Sequence, residues 1–236
     1  QDTVKAINDI QTQLRMTPDG VISPRGKTWG YLQIPVAERV QQVRADMEKL
    51  RWLPQTLETR HIFVNLAFSS FLLADSTSGQ TKYMSFRAIN GRPARKTPTM
   101  RDRVTYLVLN PTWTVPPTVF LEDKVEHIKG LPDGWAIRDY FAQNLFDVYT
   151  PDFRTTIDPA AINWHAITSS NVPFYIRQRP TYSNALGVVK FMMTNSYAIY
   201  LHDTNERHLF SERNRQRSSG CVRLERPLDL AEYLLQ

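Results

Sequence analysis

The 236-residue chain carries 29 Lys and Arg against 23 Asp and Glu, a formal charge of +6, with 42% hydrophobic and 22% charged residues. A chain of this size sustains one good-sized core with an appended or inserted subdomain, and no apolar stretch is long enough to cross a bilayer. The scattered basic residues without a nucleic-acid motif set aside a nucleic-acid partner, one cysteine excludes an internal disulfide, and no His/Cys/Asp cluster has the spacing of a metal site.

In chain order, Ile7, Ile10 and Leu14 fall on one helical face, and Thr17-Pro18-Asp19-Gly20-Val21-Ile22-Ser23-Pro24 is a turn-rich link to a second short helix over about 28–32. Pro35 opens an amphipathic helix in which Val36, Val40, Val43, Met47 and Leu50 recur at steps of four and three. That stripe is expected to be packed, with Trp52 and Leu53 extending the contact before Pro54 stops the helix. From about His61 the period becomes that of strands: Ile62, Val64, Leu66 and Phe68 alternate with Phe63, Asn65 and Ala67. The polar turn Asp75-Ser76-Thr77-Ser78-Gly79 then returns the chain into a strand over 83–89, and 104–109 is another. Between Trp113 and about Leu186 the strand rhythm is lost. Residues 119–129 read as a helix and the rest as loop-like and rich in aromatics, a lid or inserted subdomain or simply a small aromatic core. Residues 188–193 and 197–201 read as a hairpin about Thr194-Asn195-Ser196, and Leu228, Ala231, Leu234 and Leu235 after Pro227 as a terminal helix.

The one cysteine stands in Ser218-Ser219-Gly220-Cys221-Val222-Arg223, nineteen residues after His202 in the strand-like run Ala198-Ile199-Tyr200-Leu201-His202-Asp203. A nucleophilic thiol needs an imidazole, a positive charge or a helix start to favour its thiolate. Residues 213–219 are polar and basic, which suits a loop presenting Cys221 to solvent or a cleft better than a core strand delivering a small apolar plug. Gly220 has no side chain, so the amides of Gly220 and Cys221 can turn inward to hold a developing oxyanion. Arg213, Arg215, Arg217 and Arg223 either favour the thiolate and a substrate carboxylate or form a solvated basic loop. His208, inside the loop between His202 and Cys221, is a second candidate base, whereas His61, His127 and His165 are spread along the chain.

These residues resemble the signature of the L,D-transpeptidases, the cysteine enzymes that cross-link bacterial peptidoglycan: a histidine, a gap of under two dozen residues, then Ser/Thr-His-Gly-Cys, an apolar residue and Arg or Asn. Ser219 stands where many members have a second histidine, as in the larger periplasmic branch, and this leaves the general-base work to His202. Asn90-Gly91-Arg92-Pro93-Ala94-Arg95-Lys96-Thr97-Pro98-Thr99 is similar to the family's Gly-x-Pro-x-x-x-Thr-Pro loop. Leu109-Asn110-Pro111-Thr112-Trp113-Thr114-Val115-Pro116-Pro117 is similar to its Asn-Pro-x-Trp-x-Val-Pro strand end. Asp19-Gly20-Val21-Ile22-Ser23-Pro24 resembles the turn of a peptidoglycan-binding domain.

The resemblance implies a mixed α/β, mainly β fold: a β-sandwich catalytic domain over 57–236 with a capping insertion at about 114–186. Ahead of it would lie a partial peptidoglycan-binding-like helical module over 1–34 and a linking amphipathic helix over 35–56. It also implies Cys221 as nucleophile, His202 as base, the carbonyl or side chain of Asp203 orienting the imidazole, and Gly220 and Cys221 amides as oxyanion donors. Tyr200, Trp113, Ser219 and Arg223 are the expected substrate contacts. The expected partners are peptidoglycan stem peptides, with carbapenem-type β-lactams as covalent inhibitors and neither a cofactor nor a metal. The expected compartment is the periplasm, with any export signal or membrane anchor upstream of Gln1. Transfer to an amine and hydrolysis of the same bond remain alternatives at this point, as does a non-catalytic peptidoglycan-binding protein.

Overall fold

Local sequence rules account for most of the helices in the computed structural model, which describes residues 2–14, 16–54 and 56–236. Gln1, Arg15 and Gln55, which fall within the expected N-terminal module and linking segment, lie outside the described residues. The chain forms two compact units: one runs through Phe63 and adds Leu72–Met84 and Ser211–Asn214, and the other comprises Val64–Phe71, Ser85–Phe210 and Arg215–Gln236.

The first unit begins with α1 (Asp2–Gln13) and α2 (Lys27–Leu32), joined by a turn gathered around one side chain. Buried Gln11 accepts from the Asp19 and Gly20 amides at 2.9 and 3.1 Å and donates to Asp19 Oδ1 at 2.6 Å and the Val21 carbonyl at 3.0 Å. Four bonds to one amide satisfy a buried polar group that would otherwise be costly. Pro35 caps α3 (Val36–Arg51). The stripe expected to be packed is instead exposed: no residue of α3 is buried, and Val36 and Leu50 are 76% and 65% exposed. Periodicity reports which face is apolar and says nothing about what covers it.

Strands β1 (Arg60–Asn65), β2 (Ser70–Asp75) and β3 (Lys82–Gly91) come next, where the sequence reading had seen one strand running through Phe68. The break is a tight turn at Ser69, whose φ of +49° and whose hydroxyl bond to Asn90 Oδ1 at 2.6 Å close the chain early. β4 (Val104–Leu109) forms where alternation placed it. These strands join β9 (Val189–Met193), β10 (Leu201–His202), β11 (Gln216–Ser218) and β12 (Val222–Leu224) in an eight-stranded sheet ordered β1-β2-β3-β12-β10-β9-β4, with β11 on β3. The expected hairpin after 193 is an antiparallel pair with only two residues on the returning side, Leu201 against Phe191 and His202 against Lys190. Phe71 and Phe86 stack at 4.4 Å and, with buried Ile89, Val189, Phe191 and Leu224, fill the core beside this sheet. Pro227 starts α7 (Pro227–Leu235), which buries Leu230 and Ala231.

Between β4 and β9 the structure departs from the loop-like expectation. β5 (Trp113–Thr114), β6 (Phe146–Tyr149), β7 (Thr156–Ile157) and β8 (Tyr175–Gln178) form a second, antiparallel sheet ordered β5-β8-β6-β7. It is accompanied by α4 (Pro117–Asp123), α5 (Val125–Lys129) and α6 (Gly134–Gln143). Asp133 caps α6 by accepting from the Ala136 amide at 2.8 Å. Phe120, Phe141, Phe146, Trp164 and Phe174 pack in tilted and edge-on pairs at 5.4 to 6.1 Å, giving this sheet its own apolar cluster. The mixed α/β, mainly β architecture with N-terminal helices is what forms.

Candidate active site

The parallel pairing of β10 with β12 aligns His202 with Arg223 and Leu201 with Val222. One residue earlier on each strand, Tyr200 and Cys221 come level, and the Val222 amide donates to the Tyr200 carbonyl at 3.1 Å. Cys221 is half-buried and its sulfur donates to the Ala198 carbonyl at 3.7 Å. That carbonyl is aimed by an unusual backbone: Ala198 has φ +56°, a left-handed conformation costly for a residue with a Cβ. The Asn195 side chain staples the turn by accepting from the Tyr197 and Ile199 amides, both at 3.1 Å, and donating to the Ile199 carbonyl at 2.9 Å. Asp102 fixes Asn195 in turn, taking its amide at 2.9 Å and its side-chain N–H at 2.6 Å.

The loop carrying the nucleophile is held by two hydroxyls. Ser218 Oγ donates to the Cys221 carbonyl at 2.6 Å and accepts the Gly220 N–H at 3.2 Å. Buried Thr97 Oγ1 donates to the Gly220 carbonyl at 2.7 Å while accepting from Gly91 N at 2.9 Å. Gly220 has φ +120°, which calls for glycine by conformation, and a Cβ there would stand a tight 3.1 Å from Ile199 Cδ1. This geometry corrects the expected oxyanion pair. The Gly220 N–H is already given to Ser218, whereas in a trans peptide whose carbonyl faces Thr97 the Cys221 N–H points the opposite way.

His202 is buried, and its Nδ1 faces the Asp203 backbone carbonyl. Nδ1 therefore carries the proton and Nε2 the lone pair. Burial, reinforced by the Arg223 and Lys190 charges and only partly offset by hydrogen bonds with the Asp203 and Leu186 backbone, pulls the imidazole down to about 3, which keeps it neutral at ordinary pH. Burial likewise pushes the Cys221 thiol up, against hydrogen bonds from Tyr200 and the positive charges of Lys190 and Arg223. The resting pair is thus thiol and neutral imidazole. Among the described residues no hydrogen bond joins the imidazole to the sulfur, a looseness common in a site without substrate.

The remaining expected residues separate into groups. Tyr200 is half-buried beside the thiol, its ring 5.5 Å from the His202 ring, and burial next to the thiol raises its hydroxyl. Arg223 donates to Glu206 Oε2 at 2.5 Å, and its buried Nε has no partner among the described residues. The Asp203 side chain does not orient the imidazole: Oδ2 accepts from the Val188 amide at 3.0 Å and Oδ1 pairs with Arg207 at 2.8 Å. Gly187, with φ +60°, leaves the room this carboxylate occupies. Trp113 packs on Phe146 at 6.4 Å within the second sheet's apolar cluster, and His208 lies exposed in a 3-10 turn.

Three further residues were missed in the sequence. Lys190, the ladder neighbour of His202 on β9, places its ammonium 3.8 Å over the Tyr200 ring. Burial lowers its pKa while the nearby thiol opposes that shift. Its signal was a charge inside an otherwise apolar run, Val188-Val189-Lys190-Phe191-Met192-Met193. Thr97 and Arg95 lay in plain view within a motif read as turn chemistry, with nothing to say that the turn folds under Gly220.

The YkuD family, the L,D-transpeptidase catalytic domain, matches residues 59–236. The chain belongs to that family. A Haemophilus influenzae protein whose name marks it as a candidate L,D-transpeptidase is 35% identical over 196 residues, covering 83% of this chain. The chain spans 37% of that relative's length. Membership in the L,D-transpeptidase family makes the chain an enzyme domain of peptidoglycan metabolism, and its match begins just ahead of β1.

Proposed function

We propose that the protein forms 3→3 cross-links between peptidoglycan stem peptides through a thioester on Cys221. The observation that carries this reading is the alignment of Cys221 with Tyr200 at the mouth of the paired strands β10 and β12, two residues before a buried, neutral His202 whose Nδ1 is held by a carbonyl. As the sulfur attacks the carbonyl between the L-centre of the donor's diamino acid and its terminal D-alanine, the thiol proton passes to His202 Nε2. The oxyanion develops toward the Cys221 N–H. Collapse breaks the C–N bond, the departing D-alanine amine takes the proton from His202, and a thioester remains. The side-chain amine of an acceptor stem then attacks that thioester, gives a proton to His202, and the sulfur leaves and is reprotonated.

Lys190 and Arg223 favour negative charge on sulfur and suit the free carboxylate of a stem peptide. In this reading the four-stranded insertion caps the site and the protein works in the periplasm, where the polymer lies. Carbapenem-type β-lactams, whose ring opens on a thiolate, should add to Cys221.

The test is intact-protein mass spectrometry with product analysis after mixing wild type, and separately Cys221→Ala, with a disaccharide-tetrapeptide. Loss of D-alanine with a dimeric 3→3 product, absent in the variant, is expected. Tripeptide without dimer would replace transfer by hydrolysis, and no Cys221-dependent change would leave a binding protein.

A further inference from the structure

Ser219, expected to touch substrate, has a hydroxyl that is already engaged. Arg95 Nη1 donates to Ser219 Oγ at 2.9 Å. The same guanidinium is gripped from the other side by α4, the first helix of the insertion: its Nε donates to Glu122 Oε2 at 2.9 Å, Nη1 to Asp123 Oδ2 at 3.1 Å and Nη2 to the Thr118 carbonyl at 3.3 Å. Only 12% of the Arg95 side chain is exposed, unlike an ordinary surface ion pair. Arg92 adds a second bond to Asp123 at 3.0 Å. Two residues on, Thr97 holds the Gly220 carbonyl, so a single short loop grips both residues preceding the nucleophile.

We propose that Arg95 is a positioning residue that ties the nucleophile loop to the insertion: anchored on Glu122, Asp123 and the Thr118 carbonyl, it fixes Ser219 and thereby the Gly220–Cys221 peptide. The planar guanidinium suits this task because its donors point along fixed directions to several acceptors, which a lysine ammonium on a flexible stem does not reproduce. Ser219 and the Gly220 carbonyl together determine where Sγ and the Cys221 N–H stand, and an error of about 1 Å in such a placement is worth on the order of 100-fold in rate. The insertion thus reaches the chemistry through Arg95 without lending a reacting group. This inference rests on the acyl-transfer reading for its kinetic consequence but not for its structural one.

The experiment therefore has two arms on the full chain. Hydrogen exchange followed by mass spectrometry should show faster exchange across 218–222 in Arg95→Ala and Ser219→Ala, with β4 and β9 unchanged and Tm close to wild type. Donor acylation should fall about 10- to 100-fold in kcat with KM kept within about threefold, and the double variant should be no slower than either single, as expected for two ends of one link. Arg95→Lys should recover only part of the rate. Unchanged exchange over 218–222 in both single variants would overturn the proposal, and so would a double variant whose losses add. If Arg95→Ala fails to fold, Ser219→Ala and Arg95→Lys carry the exchange comparison. Wild-type protein without Cys221-dependent acylation would sink the cross-linking reading, while the exchange arm would still decide this one.

Discussion

The strands that carry the candidate site, β9, β10 and β12, and the four-stranded sheet lie in the same compact unit and divide the work unequally. The eight-stranded sheet carries Lys190, His202 and Arg223 as neighbours on β9, β10 and β12 and delivers Cys221 at the start of the last of these. Buried or half-buried polar groups there shift one another's proton affinities. The four-stranded sheet buries five aromatic rings against one another; beside them Lys124 and Tyr140 are shifted first by burial, and Arg138, Asp158 and Arg179 by the hydrogen-bonded ion pairs they make away from the site. Chemistry sits where strand register brings titratable groups together, whereas the core of the second sheet is apolar and its ion pairs, Arg138–Asp158 and Arg179–Asp147, lie outside that core. Substitutions of the polar groups around Cys221 should therefore change reaction rates more than stability, and those in the second sheet's aromatic core the reverse.

The largest effect expected is that of Cys221→Ala, which should abolish the acyl-enzyme and lower turnover by at least about 10⁴-fold, read by intact mass. His202→Gln should lower acylation by about 10²- to 10⁴-fold. The same variant sharpens the comparison through stability. The folded-state pKa of His202 lies near 3, below its ordinary value of 6.5, so between those limits the unfolded chain takes up a proton that the folded chain refuses. Stability is whole above about pH 6.5 and falls as the pH drops toward 3. Urea unfolding at a series of pH values should show His202→Gln with a flatter acid limb, and an identical limb would mean that the imidazole is not buried neutral. On the other sheet, Trp164→Ala should cost about 3–5 kcal/mol of stability through the cavity it leaves. Iodoacetamide should alkylate the Cys221 of that variant at close to the wild-type rate under native conditions. A parallel collapse of thiol reactivity would break the division proposed between the sheets.

What was legible in the sequence follows the same division. A lone cysteine after a glycine, a histidine in a strand-like run and two proline-bearing loops are local signals, and the residues they mark come together around β10 and β12. β4 was legible as a short run of β-branched, aromatic and aliphatic residues, and α7 from the proline at its first turn and its one buried face. The second sheet was not. Phe146, Asp147, Val148 and Tyr149 alternate in burial, but both faces are aromatic: Phe146 enters the core, while Tyr149 joins Phe153 and Arg177 on the opposite side. A four-residue strand with an aromatic ring beside its one polar residue on the outward face gives too short and too mixed a period to stand out. Helix α6 was announced by Asp133 before a glycine, a cap too common to be decisive by itself. The turn at Ser69 is settled by a bond to Asn90, a contact distant in sequence, and the left-handed Ala198 by Asn195, whose short-range bonds to Tyr197 and Ile199 carry no signal of a positive φ.

Lys190 is the finest test of the comparison, because it changes proton affinities without touching the bonds that break. Its ammonium over the Tyr200 ring lowers the thiol pKa and also disfavours a charged His202, so its net effect is the difference of two opposing terms. With Lys190→Met the long stem is retained, the core facing β9 keeps its volume, and only the charge is lost. The thiol then titrates higher, and alkylation by iodoacetamide at pH 8 slows by about three- to tenfold. Thiolate absorbance at 240 nm, read against pH in a protein with one cysteine, reports the same shift directly. Arg223 remains beside the thiol and supplies the other positive charge, which is why the loss is smaller than that for His202. An unchanged titration curve would assign Lys190 to packing against Tyr200 and leave Arg223 as the cation that the thiolate senses.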